Sequence, residues 1–188
     1  MSIWGWAFIA VVVFFGLAAL YLSNTAGRLD RLHRRIDVAE LSLDTQLLRR
    51  SSVAMEIATS GILDPASAVL LADAAHSAAA AIDERTQDQG KASAQAESIL
   101  TRALDVALDE EEVLEMRALP AGVSLLEDLE AAALRVQLSR RFLNDAIRAC
   151  RQLRGRRPVR WLSLAGRTPW PHPREMDDSL PESLSVTS

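Results

Sequence analysis

Residues able to do chemistry are few in this chain, and they are scattered. His33, His76 and His172 lie on separate stretches, none with a second histidine one helical turn away. A zinc or iron site needs several imidazole, thiolate or carboxylate donors at one point, which a helix supplies at i, i+4 spacing. Cys150 is the one cysteine, so an intrachain disulfide is excluded and a thiolate metal site is unsupported. Asp109 to Glu112 form a run of four acids. A hard cation would need further oxygen ligands from other segments, so the run reads as a solvated helix face. Gly-rich phosphate loops, nucleophile elbows and His-Glu-x-x-His signatures are missing from the sequence. The expectation is a protein that is not an enzyme and holds no metal and no cofactor.

Two charged constellations remain. Asp37, Asp44, Arg49 and Arg50 fall on one helical stretch, and Arg140, Arg141, Asn144 and Asp145 on another. If those stretches pack antiparallel, crossed Asp–Arg pairs would set their register or present a docking surface to a partner. The second constellation is basic. Arg148, Arg151, Arg154, Arg156, Arg157 and Arg160 run into Trp161. Arginines beside an interfacial aromatic suit an anionic membrane surface, so Arg154, Arg156, Arg157, Arg160 and Trp161 are candidate contacts to lipid or to a membrane subunit. Nucleic acid is not an expected partner, because the helix order places this cluster against the bilayer.

The elements that must position these groups begin with a membrane segment. Ile3 to Leu22 is twenty residues without a charge. At ~1.5 Å per residue this covers ~30 Å, the thickness of the hydrocarbon layer. Trp4 and Trp6 stand near one end and Tyr21 near the other, where amphipathic rings favour the headgroup level. No Lys or Arg precedes the run, which disfavours a cleaved signal peptide. Arg28, Arg31, Arg34 and Arg35 come after it, so the positive-inside rule puts the N-terminus outside and the rest in the cytoplasm, at the plasma membrane.

Beyond the span, apolar residues recur at steps of three and four, and turn signals punctuate them. Leu29, Leu32, Ile36, Ala39 and Leu43 open a helix that continues to about residue 60. Gly61 ends it, and Asp64-Pro65 starts the next as N-cap and first turn, over about 65–87. A third helix is expected over about 92–118. A fourth, about 123–153, carries the heptad Leu126, Leu129, Ala133, Val136, Arg140, Leu143, Ile147 and Cys150. Arg140 interrupts that seam and needs a carboxylate partner or a path to water. With aromatics at 5% of the chain, the composition points to long helices, because β-rich domains lean on β-branched and aromatic residues. The expected fold is all-α: one N-terminal transmembrane helix continuing into an antiparallel cytoplasmic bundle of long helices. Its organisation reads as an anchor at 1–28, a helical bundle at 29–155, a basic Arg/Pro/Trp segment near the membrane at 156–174, and a disordered tail at 175–188.

Two stretches resemble the LemA family of bacterial membrane proteins. Arg35, Ile36, Asp37 and Ala39, followed by Asp44, Gln46, Leu47, Arg49 and Arg50, keep the spacing of Arg-Val-Asp-x-Ala and Asp-x-Gln-Leu-x-Arg-Arg. Arg140 to Arg148 is similar to the family's Arg-Arg-Phe-Tyr-Asn-Asp-Ala-Val-Arg. Glu40 stands where the family usually has Trp, Leu143 replaces Tyr, and Cys150-Arg151 replaces Tyr-Asn. The resemblance implies an N-out helical bundle and no chemistry. Size, single span and an Arg- and Ala-rich composition also resemble LemA-like proteins associated with the actinobacterial cytochrome bcc–aa3 respiratory supercomplex. The functional expectation is a membrane-anchored, non-catalytic accessory or scaffold subunit of such a complex, with membrane protein subunits as partners. A self-standing envelope protein that organises anionic lipid is the alternative.

Overall fold

In the computed structural model, residues 3–83, 89–155 and 170–185 are described, and these are largely helical with no strand among them. The order is α1 (Ile3–Thr59), α2 (Pro65–Asp83), α3 (Gln89–Ala107), α4 (Glu110–Arg117), α5 (Pro120–Arg154) and a single turn, α6 (Glu182–Ser185). Two of the helices, α1 and α2, are long and apolar enough to cross a membrane.

The turns form where the sequence signals fall. Gly61 adopts φ +74°, the left-handed conformation that ends a helix without a Cβ penalty. Asp64 then caps α2: its Oδ1 accepts from Ala66 N–H at 2.8 Å and Ser67 N–H at 3.3 Å. These hydrogen bonds hold the Asp64 carboxyl below its ordinary range. Pro120 opens α5, where a missing N–H costs nothing. Gly122 serves a close approach of backbones. A Cβ there would lie 2.1 Å from the Met116 carbonyl oxygen, so only glycine lets α4 and α5 approach this closely.

The expected third helix, 92–118, is two helices. Asp109 takes an extended conformation at φ −71°, ψ 177°, and its side chain accepts from Glu112 N–H, which starts α4 afresh. Glu110, Glu111 and Glu112 then occupy the first turn, where the helix dipole favours negative charge. The acidic run is thus a helix start, and the break it makes frees the carbonyl of Leu108.

Chain contacts divide the molecule into two units, one of Met1–Val38 with Asp145–Pro173 and one of Ala39–Asn144 with Arg174–Ser188. In the first unit the buried apolar side chains among the described residues are Leu29 and Ile36 of α1 and Ala146, Ile147, Cys150 and Leu153 of α5. Near the start of α1, by contrast, Phe8, Phe14, Phe15, Leu17 and Leu20 are all well over half exposed.

The second unit holds the larger core. Val53, Ala54 and Ile57 of α1 meet Leu71, Ala74, Ala75 and Ala78 of α2, and Leu100, Leu104 and Leu108 at the end of α3. Val113 and Met116 of α4 and Leu126 and Leu129 of α5 complete it. Along α5 the heptad positions Leu129, Val136 and Leu143 are buried as their spacing requires.

The C-terminal segment belongs to the same unit. Leu184 is 2% exposed within this same core. Residues 174–184, in the stretch 175–188 read from composition as a disordered tail, lie along the unit, and 186–188 fall outside the described residues. The polar composition that suggested disorder is satisfied by specific hydrogen-bond partners on the helices.

Candidate functional site

The polar residues of the second unit converge on one place, built from α1, α3, α5 and the C-terminal segment. Its floor is a buried ion pair. Leu29, Ile36, Leu43 and Ile57 mark a seven-residue repeat on α1, and Arg50 occupies the same repeat at 1% exposure. On α3, Glu97 precedes Leu100 by three and Leu104 by seven, so it too lies on the apolar face, at 0% exposure. Arg50 Nη1 stands 3.8 Å from Glu97 Oε2. Arg50 Nε and Nη1 and both Glu97 carboxylate oxygens have no hydrogen-bond partner among the described residues. Burial pushes the Glu97 carboxyl up to about 7, against the pull of Arg50 and Arg174. Burial likewise lowers Arg50, against Glu97, Asp178 and Asp177. Both shifts say that this pair is held in place at a cost in desolvation.

Arg50 reaches the layer above through a hydroxyl. Its Nη2 donates to Thr101 Oγ1 at 2.5 Å, and Thr101 donates in turn to the main-chain carbonyl of Asp177 at 2.8 Å. Ser98 Oγ accepts from Asp177 N–H at 3.1 Å, and Gln137 Nε2 donates to the Asp178 carbonyl at 2.9 Å. Asn144 holds Arg174 on both sides. Its Oδ1 accepts from Arg174 N–H at 2.9 Å, and its Nδ2 donates to the Arg174 carbonyl at 3.2 Å.

Three side chains of the segment are read as well. Arg140 grips Asp178 bidentately, Nε to Oδ2 at 2.6 Å and Nη2 to Oδ1 at 2.9 Å. Arg174 donates to Ser93 Oγ at 2.9 Å and lies 3.9 Å from Asp44 Oδ1. Ser183 Oγ donates to the Leu108 carbonyl that the α3–α4 break leaves open, at 2.6 Å. Hydrogen bonds from Ser179 hold the Asp177 carboxyl below its ordinary value.

The crossed pairing expected between α1 and α5 is therefore replaced. Asp44 meets Arg174, Arg50 meets Glu97, and Arg140 meets Asp178. Of that set only Arg49 faces an acid across the two helices, Asp128, at 4.0 Å and with both side chains about half exposed. Asp37 and Arg141 are exposed, and Asp145 pairs locally with Arg148 at 3.4 Å. The carboxylate that Arg140 required comes from the C-terminal segment, whose fork-to-fork geometry satisfies the guanidinium better than a distant helix could.

Of the candidate membrane contacts, Arg154 is 8% exposed, with its guanidinium 4.8 Å from the centre of the Trp170 ring. Arg151 lies 5.9 Å from the same ring. Arg156, Arg157, Arg160 and Trp161 fall outside the described residues. Cys150 is buried and free, and burial raises its thiol above the ordinary value. No cluster of three or more His, Cys, Asp or Glu side chains that could hold a metal occurs among the described residues.

Glu97 and the segment Arg174–Leu184 were missed by sequence reasoning. Glu97 had a legible signal, an acid in phase with Leu100 and Leu104 opposite an arginine in phase with Leu43 and Ile57. The segment had a weaker one, Asp177-Asp178 followed by Leu180 and Leu184 in a stretch that otherwise reads as polar tail.

What this arrangement can do is hold an extended stretch of chain. It offers side-chain donors and acceptors for main-chain groups, one bidentate cation and one apolar socket. Compared with known proteins, the chain matches no family model, no curated protein and no solved structure. The resemblance to LemA proteins thus rests on short motifs alone.

Proposed function

We propose that the chain is a non-catalytic accessory or scaffold subunit, anchored in a membrane by residues 3–22 and assembled with other membrane proteins. The observation that carries this reading is the exposure of the first part of α1. Phe8, Phe14, Phe15, Leu17 and Leu20 are 70%, 68%, 67%, 63% and 70% exposed. At ~100° per residue they point all round the helix, which in water would be a large unfavourable surface and in lipid is the natural one. The second apolar helix, α2, supports a bundle instead, since Leu71, Ala74, Ala75 and Ala78 are buried in the core.

Arginines at 28, 31, 34 and 35 favour a cytoplasmic location for the chain beyond the span. A cytoplasmic domain with a peptide-holding site and no catalytic set suits a subunit whose work is association. The narrower reading, a respiratory complex of the cytochrome bcc–aa3 type, rests on the LemA resemblance alone. Capture of the tagged full chain in mild detergent, with mass spectrometry of the eluate, tests both. Stoichiometric recovery of defined membrane subunits is the expected result, and haem-bearing subunits among them would favour the narrower reading. Recovery of the protein alone with anionic lipid would overturn it.

A further inference from the structure

The C-terminal segment engages the bundle as a bound peptide engages a receptor. Five main-chain groups of residues 174–178 are met by side chains of four different residues: Ser98, Thr101, Gln137 and Asn144. A helical bundle has no need of such groups to close its own core. Asn144, Thr101 and Ser93 are 8%, 4% and 2% exposed with polar atoms aimed into this contact, and Asn144 loses both of its bonds to Arg174 if the segment leaves. Thr101 is further fixed from beneath by Arg50. Arg50 and the Glu97 carbonyl hold the Thr101 hydroxyl independently of the segment, which lowers the ordering cost of binding at that point. Specificity comes from two points on the segment: the Asp178 carboxylate in the grip of Arg140, and Leu184 in its core socket.

We propose that this face of α1, α3 and α5 is a binding site for an extended acidic peptide, and that residues 174–184 are its tethered, exchangeable ligand. The pattern read is a basic residue, an acid four positions on that meets Arg140, and an aliphatic residue six beyond that acid. Residues 155–173 join the segment to α5, and a tether this short gives an effective concentration on the order of mM. A partner segment of the same pattern then binds only where it is locally concentrated, or after the tail has been drawn away. The site so described stands independently of the membrane-subunit reading, because none of its residues belongs to the span.

The test uses the full chain with a specific protease site inserted between Gly166 and Arg167, cut after folding. The probe is a fluorescently labelled synthetic peptide of residues 167–188. The cut protein should keep its helical circular dichroism and exchange its own fragment for the probe, raising the probe's anisotropy. Unlabelled peptide should compete, and peptide carrying Asp178→Asn should compete at least about tenfold less well. Arg140→Ala in the cut protein should abolish that difference between the two peptides, a readout that general loss of stability would not produce. Three results would overturn the proposal. One is loss of helical signal on cutting, which would make the segment an integral part of the fold. Another is no probe uptake by a protein that stays folded, and the third is equal competition by a scrambled peptide.

Discussion

Glu97 should make the stability of the bundle fall as pH rises from about 4.5 to about 7. Its carboxyl sits near 7 in the folded protein and near the ordinary 4.5 once unfolded. Across that window the folded state keeps a proton that the unfolded state has released, so stability decreases with pH. The stabilisation is fully present below the unfolded value and is lost as pH rises through the folded one. At 1.36 kcal/mol per pH unit the difference amounts to about 3 kcal/mol, a large part of the 5–15 kcal/mol typical of a domain. A guanidinium keeps its proton throughout this range, so Arg50 does not contribute to the slope. Asp177 and Asp64 act oppositely and lower down, since their depressed carboxyls stabilise above 3.8 and lose that effect only in stronger acid. The assay is denaturant unfolding of the full chain in detergent, read by circular dichroism at pH 5, 6, 7 and 8. Wild type should lose about 2.5 kcal/mol over the series, and Glu97→Gln should be nearly flat. An unchanged slope in Glu97→Gln would refute the assignment, as would a wild-type stability that rises with pH.

Other perturbations probe the elements that carry the site. Leu184→Ala should cost about 2–4 kcal/mol in the same unfolding assay, because its side chain fills the core from the tail. Val136→Asp, at a position with 0% exposure, should cost several kcal/mol and leave little folded bundle at 37 °C. Asp109→Ala removes the cap of α4 and should cost about 1 kcal/mol, with Asp109→Asn recovering most of it. Gly122→Ala should destabilise by more than the helix-propensity gain of about 1 kcal/mol, because the added methyl meets the Met116 backbone. Normal stability of that variant would show that α4 and α5 can part without loss.

The periodic elements were legible because burial leaves a period in the sequence. Leu126, Leu129, Val136, Leu143 and Ile147 announce α5, and Gly61 with Asp64-Pro65 announces the first turn. The break at Asp109 was harder to see, since acids are ordinary on a helix surface and the capping role depends on one backbone conformation. The pairing of Arg50 with Glu97 was half legible: each charge is in phase with its helix's apolar stripe, but nothing in one helix names its partner on another. Residues 174–184 were least legible. A segment that is held through its main chain carries almost no compositional mark, so its sequence resembles that of a tail held by nothing.

That way of holding has an evolutionary consequence. At Arg174 and Asp177 the bundle grips the peptide units themselves, so the side chains at Glu175 and Met176 can drift with little penalty. The count of residues cannot. One codon inserted between Arg174 and Asp178 would shift Asp178 about 3.3 Å along an extended chain, beyond the reach of a bidentate guanidinium, and would carry Leu184 out of its socket. Descendants of this chain should therefore vary freely at positions such as Glu175 and Met176 while conserving Asp178, Leu184 and the spacing between them, and insertions should collect on the near side of Arg174.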